Sequence, residues 1–574
     1  MATKHTEKEQ SFLQATVILG IATMLVKVLG AIFKIPLQRL IGDDGMGFYS
    51  TAYDIYLPIY SLAMAGFPVA VSRMVADQVG KERYRDARRT LRVVAKVFLI
   101  AGTTGLLLMY GASFIVTAVT GNVRARPGMF VIAPSIFFCC VMSIYRGYYE
   151  GVRNMYPTAV SSVIEAVCKL VLGYSFAFII VKSASTVTLD TLSYAVAGAM
   201  LGITLGTVLG SAYLIWCYTK KGDGITNQML RESPAPMSQR KIFKMLVAIA
   251  VPVALGSLVT QVSGLIDVVM VQGQLKSTIA AHPGSFAEMY QAYQASGAAQ
   301  KSGFEIWVAN RLYGCYKGSA YTMFNFVPTI TSVLGVSAIP VLTMVWGAKN
   351  SAGIRKNIES IIKIISLIAF PMGVGMVALA PQIIQLLFKS SEPVITANLL
   401  RILGLAACCA GLSTPLTNML QAIGRQGVPV RNIGVGAIIK ILSNLTLVAI
   451  PSIHVMGAAI GTLLCYIYIA GANLFCLIRY SGTRPNMKAA VLRPFIAAAL
   501  CGVAGFAVAF LGQKLLGSAS SLANASVTCL GILAAVVVYL LAVAALKCLT
   551  EQDIRTLAKG EKVIAVLKRL KIVA

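Results

Sequence analysis

A few ionisable residues stand inside long apolar runs, and they are the residues that could do chemistry. Lys27 and Lys34 are seven positions apart in one run, so on a helix they share a face. Glu165 precedes Lys169 by four, the favourable order for a helical ion pair. Lys440 has no acid at four-residue spacing on either side, and Asp54 and Asp267 are lone acids in two further runs. Inside a bilayer each such group costs roughly 2.5–3.5 kcal/mol, so it should face a wet cavity or a partner. The lysines suit an anionic group, with snorkelling to the outer interface the alternative for Lys34. Glu165 and Lys169 are either a structural pair or one that opens to bind. Asp54 and Asp267 could carry a coupling proton or sodium ion, or serve as caps or satisfied hydrogen-bond partners. Arg146, Arg153 and Arg425 fall at helix ends, as gate residues or as topological anchors.

The elements that position these residues are membrane helices. The chain has 574 residues, of which 57% are hydrophobic and 12% charged, and its mean hydropathy is +0.76. A soluble protein could not hide that much apolar surface. About fourteen segments reach the ~20 apolar residues that span a bilayer: 12–35, 48–75, 93–119, 129–149, 157–181, 191–218, 242–272, 319–346, 358–380, 397–422, 431–450, 455–480, 490–512 and 525–548. A barrel would need apolar and polar residues in alternation, whereas Leu530 to Leu546 is apolar all round. The expected class is an all-α polytopic membrane protein.

The net charge of +29 would suit nucleic acid, but its distribution does not. Lys and Arg gather in alternate connections, as in Lys81 to Arg92 and Lys220 to Lys241, which is the positive-inside pattern. It predicts both termini in the cytoplasm, an even number of crossings, contact with anionic lipid and no nucleic-acid partner. The connection from about Gly273 to Gly318 should lie outside, with a short surface helix around Met289 to Ala299 and with Cys315 near the outer surface. The tail at 549–574 carries Val563, Leu567 and Leu570 on one helical face, which fits either an interfacial amphipathic helix or a frayed basic tail. The cysteines suggest no disulfide framework, and His5, His282 and His454 form no metal motif. No Walker loop is present, so no catalytic residue, metal or cofactor is expected, apart from H+ or Na+ as a coupling ion. The first apolar run reads as a retained helix and not as a cleaved signal.

A short pattern occurs twice. Arg153 to Pro157 is followed by an apolar run with Lys169, and Arg425 to Pro429 by one with Lys440. Segments two and eight each carry a proline, a small-residue stretch and a second proline: Pro58 and Pro68, Pro328 and Pro340. The copies match at an offset of six crossings. An even offset predicts two parallel six-helix repeats about an axis along the membrane normal, plus two C-terminal helices. The expected organisation is an N-tail at 1–11, bundles at 12–218 and 242–480, a cytoplasmic linker at 219–241, helices thirteen and fourteen within 481–548, and the tail at 549–574. The prolines free carbonyls and permit bending between states.

The run from Tyr145 through Arg146, Arg153 and Pro157 to Glu165 resembles the oligosaccharide and polysaccharide flippases of the multidrug/oligosaccharidyl-lipid/polysaccharide exporter superfamily. Leu312-Tyr-Gly314 and Val26-Lys-Val-Leu-Gly30 fit the same group, and the resemblance covers essentially the whole chain. It is strongest to the stage V sporulation protein B and lipid II flippase branch. Lys27 matches a basic residue of that branch, whereas Phe33-Lys34 stands where an Arg-Asp pair is often found. The resemblance implies a transporter and not an enzyme. It would move an undecaprenyl-pyrophosphate-linked saccharide to the outer leaflet of a bacterial cytoplasmic membrane by alternating access. Lys27, Lys34, Glu165, Lys169 and Lys440 would then line the cavity. It is expected to act as a monomer, with membrane lipids around it and cell-envelope synthesis enzymes as candidate partners. The alternative is a cation-coupled multidrug antiporter of the same superfamily.

Overall fold

In this computed structural model, residues 12–62, 66–295, 303–516 and 521–548 are described. The tails expected at 1–11 and 549–574 lie outside them. Among the described residues the chain is helical and contains no strand, and ten helices are long and apolar enough to cross a membrane. The described residues fall into two compact units. One lies within Met1–Lys276 and Phe286–Arg311, the other within Ser277–Ser285 and Leu312–Ala574.

Two expected loops are largely helical. Segments one and two, expected as separate helices, are two helices within Phe12–Ser61 that meet at a kink at Gly42 (φ 64°, ψ −171°), so the loop expected at 36–47 is reduced to that kink. Beside the kink, Gln38 Nε2 donates to the fully buried Asp43 at 3.1 Å. The long outer connection is also mostly helix, over Gln272–Ala281, Glu288–Ala295 and Phe304–Tyr313. The second of these contains the start of the expected surface helix; its continuation past residue 295 lies outside the described residues. Cys315, expected near the outer surface, is fully buried in a π-helical turn at Gly314–Ala320.

In the first unit, glycines set the helix spacing. Gly198, Gly202, Gly206 and Gly210 recur every fourth residue along Leu189–Trp216 and so form one face. A Cβ on Gly202 would run into the backbone of Gly173, and one on Gly206 would lie 2.9 Å from the Glu165 carbonyl oxygen. Only glycine lets Leu189–Trp216 and Tyr156–Ser183 come this close, as expected in lipid, where dispersion contact draws helices together. Pro134 interrupts the hydrogen bonding of Arg126–Gly151, and Thr204 Oγ1 donates to the nearby Val131 carbonyl at 2.7 Å.

The segment after this helix is strapped to the same unit. Arg88 grips Asp223 with two nitrogens at 3.1 Å each, and Tyr148 Oη donates to the same carboxylate at 2.7 Å. Arg85 Nε donates to the Leu230 carbonyl at 2.7 Å, and the Met237 N–H donates to Asp86 at 2.6 Å. Part of the basic cluster at 81–92 therefore holds the connection down through hydrogen bonds. Burial alone would push the Asp223 carboxyl up, but bonds from Arg88, Tyr148 and the Ile225 N–H outweigh it and hold it below the usual carboxylate value.

Two predictions follow from these contacts. Gly202→Val should lower the thermal midpoint by an amount equivalent to about 1–3 kcal/mol of overpacking. Gly111→Ala, whose Cβ meets nothing within 4 Å, should hold or slightly raise the midpoint in the same melting experiment, since alanine favours helix over glycine. Asp223→Asn should ease opening of the 222–230 segment by about 1–2 kcal/mol, read as faster amide exchange. Because the native carboxyl is held low, its contribution is intact at neutral pH and disappears only as pH falls through its native value.

Candidate functional site

A helix with Tyr49, Tyr53, Tyr56 and Tyr60 repeats its aromatic residue every three or four positions, so the rings form one stripe. They follow one another with ring centres 5.6, 5.9 and 5.2 Å apart, the first pair stacked and the others tilted, and Phe33 continues the row 6.3 Å from Tyr49. The facing helix, Tyr156–Ser183, presents Ser161, Glu165 and Lys169 at four-residue spacing.

Lys169 is half-buried against this stripe. Its Nζ lies 3.4 Å from Tyr53 Oη, 4.7 Å from the centre of that ring and 5.5 Å from the centre of Phe33. Lys34 is also half-buried and brings its Nζ to 5.8 Å from the same Tyr53 ring. The negative ring faces and the phenol oxygen favour both cations.

One turn along, Glu165 takes Arg146 as its ion-pair partner, with Nη2 and Oε2 3.3 Å apart. Arg146 Nε also donates to Ser161 Oγ at 2.9 Å, and Tyr60 Oη donates to the other Glu165 oxygen at 3.5 Å. The arginine side chain is 7% exposed and the glutamate 19%. The four-residue Glu165–Lys169 pair is replaced by contacts to two other helices, because the helix–helix approach brings stronger partners than the helix itself offers. Arg146, a candidate gate residue, is committed to this buried pair.

The other candidates are dispersed. Lys27 is exposed on its helix. Asp54 is half-buried and faces Gly264, whose Cβ would lie 3.8 Å from the Asp54 Cβ. Asp267, fully buried, opens a π-helical turn three residues after that glycine. The two acids, distant in sequence, therefore border the same helix contact, where Gln272 Nε2 also donates to Thr51 at 2.6 Å. In the second unit Lys440 is 1% exposed. Arg425 is exposed and stacks over Tyr480 at 4.7 Å. Lys317, which sequence reasoning left in an outer loop, is buried with its Nζ 4.0 Å from the centre of Tyr321. The adjacent tyrosines at 316 and 321 were the signal for it. Among the described residues no three His, Cys, Asp or Glu side chains are grouped to hold a metal ion.

The repeated pattern has a register that the Arg and Pro spacing conceals. The helix ending at Gly151 closes with Arg153 at φ 63° and a bond from the Asn154 N–H to the Tyr149 carbonyl. The helix ending at Ala422 closes with Gly424 at φ 78° and a bond from the Arg425 N–H to the Leu420 carbonyl. Arg153 is therefore equivalent to Gly424 and not to Arg425. The same step carries Lys169 onto Lys440, Glu165 onto Gly436, Ser161 onto Asn432 and Arg146 onto Thr417. In the second unit the positions of the acid and the arginine are filled by Gly436 and Thr417: Asn432 donates to Asn473 at 2.9 Å, Asn473 donates to Thr417 at 3.1 Å, and Arg431 Nη2 donates to Asn432 Oδ1 at 3.5 Å.

The family model described as polysaccharide biosynthesis protein matches residues 12–346. The chain belongs to the polysaccharide biosynthesis protein family. It falls in the flippase branch of the multidrug/oligosaccharidyl-lipid/polysaccharide exporter superfamily, and a second family model, lipid II flippase MurJ, matches residues 328–528. Among curated relatives, stage V sporulation protein B of Bacillus subtilis (strain 168) is 24% identical, covering 79% of this chain and 80% of its own. Lipid II flippase MurJ of the same organism is 23% identical, covering 86% and 87%. The fold is similar to that of lipid II flippase MurJ in an inward closed conformation, with a TM-score of 0.63, 14% identity and coverage of 92% of this chain and 98% of that one. It is also similar to an inward-facing multidrug resistance MATE family transporter, with a TM-score of 0.61, 19% identity and coverage of 82% and 98%. This family member is a multi-pass membrane protein.

A double-mutant cycle tests the buried pair. Arg146→Met and Glu165→Gln should each lower the thermal midpoint, and the double variant should recover part of the loss, with a coupling of about 1–3 kcal/mol.

Proposed function

We propose that this chain moves a pyrophosphate-linked saccharide on a polyprenyl carrier from the inner to the outer leaflet by alternating access. The observation that carries the reading is the cationic cluster on the tyrosine stripe. Lys169 has a neutral phenol as its hydrogen-bond partner, and Lys34 approaches the same ring. Arg146 and Glu165 cancel, so with Lys169 the three carry one net positive charge. A phosphate offers oxygens to which lysine donates charge-assisted hydrogen bonds, and phenol hydroxyls can donate to it as well. The saccharide and phosphates cannot cross hydrocarbon unaided, while the polyprenyl tail can remain in lipid. The relatives named for lipid II transport and for sporulation support a cell-envelope precursor as cargo. Fourteen crossings with both termini in the cytoplasm of a bacterial cell fit this role, and Asp54 and Asp267 are the candidate carboxylates for coupling to H+ or Na+.

The multidrug reading is weaker. An organic cation would meet the net positive charge at Lys169, although the MATE-like fold is shared.

Liposomes holding the purified protein and a fluorescent polyprenyl-pyrophosphate disaccharide provide the test. Lys169→Ala should slow flipping by about 10–100-fold, the loss expected for a charged hydrogen bond to phosphate. Asp267→Asn should remove any dependence on an imposed proton or sodium gradient. Transport of drug cations with the lipid ignored would overturn the reading, and full flipping by Lys169→Ala would remove the role assigned to that lysine.

A further inference from the structure

Three membrane-spanning helices of the first unit share an end: Val123–Gly151 stops there, Tyr156–Ser183 starts there and Leu189–Lys221 stops there. A cavity of about 1060 Å³ lies among these ends, lined by Tyr84, Arg153, Tyr156, Tyr213, Lys221 and Asp223, among others. Tyr149 holds both connections of its wall in place. Its Oη donates to the Gly222 carbonyl at 3.1 Å, and its own carbonyl accepts from the Asn154 N–H at 2.9 Å. The wall carboxylate, Asp223, is already matched by Arg88 and Tyr148. Two wall cations are not matched. Arg153 and Lys221 are exposed, and neither pairs with a carboxylate among the described residues. Lys221 instead rests its Nζ 5.3 Å from the centre of the Trp216 ring.

The backbone marks Arg153 a second time. Its φ of 63° suits glycine, and the second unit has Gly424 at the equivalent place. Arginine is disfavoured there by its torsion, so the position gains only what the side chain supplies. The surroundings point to lipid. Leu209, Ile215 and Trp216 are exposed along the helix that ends at the cavity, and Tyr156 is exposed on the helix that starts there. Tryptophan and tyrosine settle at the level of lipid head groups.

We infer that this cavity binds the head group of an anionic phospholipid, whose phosphate accepts from Arg153 and Lys221 while its acyl chains lie along Leu209, Ile215 and Trp216. A basic pocket between helix ends at head-group depth suits such a lipid. A zwitterionic lipid would bring a cation of its own to two cations, and a soluble anion would leave the apolar face uncovered. The site is separate from the Lys169 cluster and does not depend on the cargo. Lys169 is thirteen residues beyond Tyr156 on one helix, about 20 Å along its axis.

Binding of phosphatidylglycerol, phosphatidylcholine and inorganic phosphate to the purified full-length protein in neutral detergent tests the site. The wild type should hold phosphatidylglycerol at least about tenfold tighter than phosphatidylcholine, the ratio for one charge-assisted hydrogen bond. Arg153→Gly should erase this preference while keeping or raising the thermal midpoint, a split that a merely structural arginine would not give. Lys221→Gln should also reduce the preference, and it keeps the test open if Arg153→Gly does not fold. Lys220→Gln, one residue away and outside the cavity lining, should leave the preference intact. Equal binding of the two lipids by the wild type would overturn the site. So would a preference that survives both Arg153→Gly and Lys221→Gln, or one that falls as far in Lys220→Gln as in Lys221→Gln. Inorganic phosphate held as tightly as phosphatidylglycerol would overturn the lipid assignment. Displacement of phosphatidylglycerol by an equal concentration of polyprenyl pyrophosphate would overturn it too, by making the cavity a cargo site.

Discussion

The backbone approach of two helices governs the arrangement of the first unit. Tyr156–Ser183 carries Glu165 and Lys169, and its distance from Leu189–Trp216 is set by glycines that meet Gly173 and the Glu165 carbonyl. In lipid, a helix cannot be pressed into place by water, so contact depends on how closely surfaces can fit. Side chains larger than hydrogen at Gly202 or Gly206 would move the whole helix. The Arg146–Glu165 distance and the Lys169 position on Tyr53 would move with it. The charged site thus rests on residues that themselves carry no polar side chain.

Much of this was legible in the chain, for identifiable reasons. Long apolar runs translate directly into helices, because every backbone polar group in lipid must be bonded within its own segment. Lone charges in those runs drew attention to Lys34, Glu165 and Lys169, since each is costly without a partner. Their partners were not legible. Four-residue spacing favoured Glu165 with Lys169, but Arg146, Tyr53 and Tyr60 come from other helices, and only packing brings them there. The tyrosine periodicity and the four-residue glycine repeat were both present in the sequence. They were overshadowed by a hydropathy signal that treats tyrosine and glycine as filler. The loop expected at 36–47 shrank because its charged and small residues suggest a break between spans, whereas helix resumes directly after the kink at Gly42.

The repeat is informative where its copies differ. Both helix ends close through a left-handed residue, arginine in one copy and glycine in the other. That substitution shifted the apparent motif by one residue, because the eye aligns arginines while the backbone aligns torsion angles. In the corrected register the lysines coincide and the acid does not: Glu165 faces Arg146 in one unit, and Gly436 stands beside an asparagine–threonine network in the other. The two copies share the scaffold and one lysine position, and the Arg146–Glu165 ion pair belongs to the first.

The one net charge among Arg146, Glu165 and Lys169 has an electrical meaning. A bilayer at rest is a capacitor, and a charge carried through its whole field exchanges roughly 2.3 kcal/mol per 100 mV. The Arg146–Glu165 pair is a dipole and contributes little when it shifts as a body. Lys169, seated on neutral rings, retains its charge and contributes in proportion to the field it crosses. A voltage across the membrane would therefore pull Lys169 toward the negative side. An anion bound there would cancel or reverse that pull. Occupancy of the tyrosine-backed lysine would thus decide the sign of the work the membrane voltage does on this helix.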